Sequence, residues 1–112
     1  MSYATNTSVS VERSRADIER MLQRYGATQF VSGWQDSTAA IGFVLDKLAV
    51  RFELPLPDKS ADQFALTPAG RRRRDENAAH KAWEQACRSR WRALLLVIKA
   101  KLEAVGVGIS TI

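Results

Sequence analysis

The most restrictive feature of the sequence is a pair of alternating runs, AAIGFVLD and LAVRFELP, meeting at Asp46-Lys47. Successive side chains on a strand point to opposite faces, so residues two apart share one. Ile41, Phe43 and Leu45 fall together in the first run. Leu48, Val50, Phe52 and Leu54 do so in the second, with Arg51 and Glu53 turned outward. A two-residue connection is a favoured link between antiparallel strands. Here it sets Leu45 opposite Leu48 and keeps all seven apolar side chains on one face. A one-residue slip would send every one of them to the other face, so the register is strongly specified. A sheet with one apolar face needs a second layer, and the remaining chain must supply it.

TQFVSGWQ keeps the same period ahead of this hairpin. Phe30, Ser32 and Trp34 share a face, and Asp36-Ser37 forms the turn into the next strand. Pro55 and Pro57 end the third strand, because proline gives no N–H to a ladder. Before the strands, SVERSRADIERMLQRYG has a helical period: Val11, Ser14, Ile18, Leu22 and Tyr25 form a stripe that Met21 widens. Ser10 is a suitable N-cap and Gly26 a natural stop. Arg13 and Asp17 form an outward i,i+4 pair, an arrangement worth ~0.3–0.5 kcal/mol.

After the strands, DKSADQFAL reads as a polar loop ending in Phe64 and Leu66. Thr67 reads as an N-cap with Pro68 in the first helical position. Gly70 weakens that turn, so the helix is expected to start near Arg72 or later and to run to about Val105. Its stripe is Trp83, Cys87, Trp91, Leu94, Ile98, Leu102 and Val105. VGVGIST stops the helix and leads into a short extended tail. The expected architecture is a two-layer α+β domain: helix, three-stranded antiparallel sheet, long helix. Its 112 residues suffice for one core. Residues 1–9 are expected to form a flexible arm and residues 10–112 a single α-β-β-β-α domain.

MSYATNTSVS has neither the basic nor the apolar region of a signal peptide. The longest wholly apolar run, Ala93–Ile98, is too short to cross a bilayer. The single cysteine, Cys87, excludes an internal disulfide and a cysteine metal cluster, which suits a reducing cytosol. It lies on the core stripe and reads as an inert apolar filler. His80, the one histidine, reads as a surface residue. Asp36, Asp46, Asp58 and Asp62 sit in turns or loops rather than at metal-ligand spacing. There is no phosphate-cradling glycine loop and no Ser/His/Asp set. The expectation is therefore no enzyme, no cofactor and no metal.

Charge is the functional signal. Residues 1–70 hold seven Lys/Arg against eight Asp/Glu, a net of −1; residues 71–112 hold ten against four, a net of +6. Such asymmetry points to an acidic partner. Its focus is TPAGRRRRDENAAHKAW, where Arg71, Arg72, Arg73 and Arg74 precede Lys81. These five cations can neutralise phosphates, and the guanidinium fork fits phosphate or carboxylate. The bland alternative is a solvated helix start moderated by Asp75 and Glu76. Arg88, Arg92 and Lys99 form a second basic line on the outer face, with a solvated face as its alternative. The expected partner is nucleic acid, DNA or RNA, held by its backbone. The competing expectation is an acidic host protein that the chain inhibits or modulates. Trp83 and Trp91 read as core, whereas Trp34, beside a turn, is the aromatic best placed for contact.

LLLVI, Leu94–Ile98, is apolar around the whole helix, and one sheet covers only one side. Either a second copy or the tail must cover the rest, the bland alternative being burial by the first helix and the tail together. The expectation is a homodimer in which Leu95 or Leu96 packs against the same helix of the partner.

RWRALLLVIKAKLEAVGVGIST, together with SVERSRADIERMLQRYGAT, resembles a family of small uncharacterised proteins of tailed phages and prophages, over most of the chain. The resemblance implies a phage product in a bacterial cytoplasm. It also implies relatives that run on past the position of Ile112. In element order the chain is similar to the double-stranded-RNA-binding domain, which grips phosphates with basic residues at the start of its last helix. Arg71 to Arg74 and Lys81 occupy the corresponding region, as a run rather than a spaced set.

Overall fold

A computed structural model describes residues 7–66 and 75–108. The elements are α1 (Val11–Arg24), β1 (Gln29–Gln35), β2 (Thr38–Leu45), β3 (Leu48–Pro55), a short α2 (Asp62–Ala65) and α3 (Glu76–Gly106). The strands form one antiparallel sheet in the order β1-β2-β3. The hairpin register is the one its alternation demands, with Leu45 opposite Leu48, Phe43 opposite Val50 and Ile41 opposite Phe52. Asp46 and Lys47 take φ of 52° and 66°. Positive φ at both central residues suits the twist of a two-residue hairpin.

Both helices lie on one face of the sheet. Ala39, Ile41, Phe43 and Leu45 of β2 are buried beneath Ile18, Met21 and Leu22 of α1 and Trp91, Leu94, Leu95, Ile98 and Leu102 of α3. Phe43 and Phe52 stack with centroids 6.1 Å apart. Leu48 departs from expectation. It is on the apolar face but 52% exposed at the turn end of the edge strand β3, whereas Leu45 opposite it on the central strand is buried. Tyr25 likewise ends the α1 stripe in solvent.

Ser10 caps α1 by accepting from the Arg13 N–H at 3.0 Å, and Gly26 ends it with φ of 99°. Asp58 accepts from the Ser60 N–H and hydroxyl, closing the turn before α2. Phe64 of α2 is buried. The expected arm is partly tied down: the Thr7 carbonyl accepts from Gln85 of α3 at 2.9 Å, while residues 1–6 lie outside the described residues.

The start of α3 corrects the sequence reading. Its N-cap is Asp75, whose carboxylate accepts from the Ala78 N–H at 2.7 Å. A carboxylate there, followed by Glu76, satisfies free N–H groups and suits the positive end of the helix dipole. Arginines do neither, so the helix starts after the arginine run. The proposed Thr67-Pro68 start and Arg71 to Arg74 lie outside the described residues.

The inference drawn from LLLVI also changes. Leu95 is only 7% exposed within a single chain, and Leu96 is half-buried against the same core. The flank of α3 that the sheet leaves open is covered by α1. Leu95 is thus buried already and is not available to a second copy, so LLLVI does not require one. Val97 is left at the surface, 56% exposed.

Candidate polyanion-binding face

Helices α1 and α3 run alongside each other in the same direction. Thr7 lies by Gln85, Asp17 by Arg92, and the Tyr25 ring beside Gly106. Two basic stripes flank the seam between them. On α1, Arg13, Arg20 and Arg24 recur at intervals of seven and four residues, which is one side of a helix. On α3, Lys81, Arg88, Arg92 and Lys99 recur at seven, four and seven, again one side. The groove between the helices is lined by Asp17, Arg20, Met21, Gln23, Arg24, Arg92, Leu95 and Lys99. Four of these are cations and one is a carboxylate.

Asp17 organises the centre. Arg92 reaches it from α3 at 3.3 Å, Arg13 from the preceding turn at 3.8 Å, and Arg20 hydrogen-bonds it from the following turn. The Arg20 hydrogen bond holds the Asp17 carboxyl below its ordinary value of 3.8, against desolvation, which pushes it up; Arg92 and Arg13 add to the lowering. Three guanidinium groups around one carboxylate leave a local positive excess.

Arg88 and Arg92 correct the sequence picture of a free outer line. Both are half-buried on the flank towards α1, Arg92 against Asp17 and Arg88 against the side-chain oxygen of Gln85. The buried Arg88 Nε has no partner among the described residues. Lys81 and Lys99 stand in solvent on the same stripe. Sequence reasoning assigned positive character to the C-terminal part alone and missed Arg20 and Arg24. Their spacing with Arg13 was the available signal, hidden in the totals because Glu12 and Glu19, off that stripe, balance them in the charge count.

The aromatics have separate roles. Trp83 is half-buried; its indole N–H donates to the Pro57 carbonyl at 2.8 Å, and Lys59 Nζ lies 5.4 Å from its ring centroid. It fastens the β3–α2 connection to α3. His80 leans on the same ring and lies 3.5 Å from Glu84. Trp91 is core, and Trp34 is 77% exposed. Burial pushes the Cys87 thiol above its ordinary value. Among the described residues no three His, Cys, Asp or Glu side chains gather as a metal site needs, and no helix is long and apolar enough to cross a membrane. No protein-family model matches the chain, and comparison with curated proteins and with solved structures finds no match.

Proposed function

We propose that this chain is a non-enzymatic, phage-type protein of the bacterial cytoplasm that binds nucleic acid by its phosphate backbone. The site is the α1–α3 groove, with Lys81 on the same stripe of α3 and the arginine run Arg71 to Arg74, which precedes α3 in sequence, as further candidate contacts. The observation that carries the reading is the pairing of two cationic stripes across one seam. Arg20, Arg24, Arg92 and Lys99 line a common groove, where a backbone of regularly spaced anions can engage several at once. The groove offers charge and guanidinium forks but no set of polar base-reading side chains, so the binding is backbone-directed. The helix–three strands–helix order and the resemblance of the two helical segments to phage proteins agree with this reading.

An acidic host-protein surface is the competing partner, and Asp17, held among three guanidinium groups, shows that the groove accepts a carboxylate. A pull-down from bacterial lysate with and without nuclease separates the two. Recovery of nucleic acid that nuclease abolishes supports the proposal. A stoichiometric protein that survives nuclease supports the competitor. Failure to retard any DNA or RNA at low salt rules the proposal out.

A further inference from the structure

The two edges of the sheet are built differently. On β3, Arg51 and Glu53 pair at 3.4 Å, Pro55 ends the strand, and Arg90 reaches from α3 to the Pro55 carbonyl. Charge, proline and a covering helix are the usual devices that stop a sheet from growing. On the other edge, β1 is QFVSGWQ, which contains no charged residue and no proline. It presents Val31 at 69% and Trp34 at 77% exposure.

The register fixes which groups β1 offers. Gln35 pairs with Thr38 across a two-residue turn, so this pair exchanges both of its hydrogen bonds. By alternation, Gln29, Val31, Gly33 and Gln35 bond towards β2. The N–H and C=O of Phe30, Ser32 and Trp34 point away from the sheet. Phe30, Ser32 and Trp34 also share the helix-covered face, since they pair with Phe43, Ile41 and Ala39.

We infer that β1 is a self-association edge whose occupant is β1 of a second copy, antiparallel about a two-fold axis at Ser32. This register is singled out by the sequence of the strand. Placing Ser32 opposite itself sets Phe30 opposite Trp34 twice, and Val31 opposite Gly33 twice on the other face. The exposed indole then gains an aromatic cross-strand partner, and the larger Val31 faces a residue without a side chain. A shift of the axis to Val31 or Gly33 loses both aromatic pairs. A chain of net charge +5 repels its copy, and β1 is the edge on which no charge meets charge. The axis is perpendicular to the sheet, so the product is a six-stranded sheet with all helices on one side. This differs from association through Leu95, which is buried.

The test is sedimentation equilibrium of the full chain up to high micromolar concentration, with Trp34→Lys, Ser32→Pro and Val97→Lys. Trp34→Lys changes an exposed side chain and places charge on the edge. Ser32→Pro removes an outward N–H, which an edge strand tolerates. The expected result is a reversible dimer for the parent and for Val97→Lys, and dimerisation at least about tenfold weaker for Trp34→Lys, from the loss of two aromatic pairs. Ser32→Pro is a second route to the same loss, and Trp34→Lys decides alone if Ser32→Pro fails to fold by circular dichroism. A monomeric parent, or a dimer that Trp34→Lys leaves intact, overturns the inference.

Discussion

Truncating Ile98 to alanine tests how α3 is seated. Ile98 is 1% exposed and lies in the core shared by α1, α3 and the sheet. Ile98→Ala removes three carbons, a transfer loss of ~2.4 kcal/mol at ~0.8 kcal/mol per methylene. The incompletely closed cavity raises the total to ~3–4 kcal/mol, inside the usual ~2–5 kcal/mol for Ile→Ala. A domain of this size is stable by only ~5–15 kcal/mol, so the variant should remain folded with a much reduced margin. In urea the midpoint should fall by about 2 M at unchanged slope. The control is the preceding residue: Val97→Ala, at a position 56% exposed, should stay within ~0.5 kcal/mol of the parent. Adjacent positions in an apolar run would then differ severalfold, as one seated face requires. If the two variants unfold together, or Ile98→Ala costs under ~1 kcal/mol, α3 is not docked as described.

Three further outcomes follow from individual contacts. The Ser14 hydroxyl is fully buried with no partner among the described residues, so Ser14→Ala should raise stability by about 1 kcal/mol in urea melts. Asp75→Ala removes the cap of α3 and should lower stability by about 1 kcal/mol, with Asp75→Asn losing less, by the same assay. Asp17→Asn should weaken the fold while tightening polyanion binding, because it frees three guanidinium groups. The folded pKa of Asp17 is depressed, so its contribution is full above the ordinary value of 3.8 and is lost as pH falls through the lowered folded value. Urea melts across that acidic window should show a smaller loss for Asp17→Asn than for the parent.

What the sequence disclosed was what short-range rules govern. The hairpin register, the Ser10 cap and the Gly26 stop each depend on a few adjacent residues, and all were legible. Trp34 was legible as the exposed aromatic beside its turn, whereas Leu48 was placed on the correct face but not at the correct exposure, since alternation gives a face and not how far the helices reach across it. The α3 start was placed too early because Thr67-Pro68 and Asp75-Glu76 both have good cap chemistry, and the helix dipole, which disfavours arginines in a first turn, is what separates them. Residues Asp17 and Arg92 meet although 75 positions apart, a pairing that periodicity along one helix does not reveal. For the same reason LLLVI looked under-covered: the flank occupied by α1 belongs to tertiary structure.

If nucleic acid binds in the α1–α3 groove, the salt dependence of its affinity must follow the cations of that groove. Affinity for a mixed-sequence duplex DNA should be measured against salt for the parent and for the combined variant Arg20→Gln, Arg24→Gln, Lys99→Gln, at three groove positions. Each phosphate contact contributes about 0.9 to the slope of log affinity against log salt. The expected result is a steep parent slope and a variant slope shallower by roughly 2–3, with circular dichroism unchanged. A variant with the parent's slope, or a parent whose affinity does not respond to salt, would contradict it.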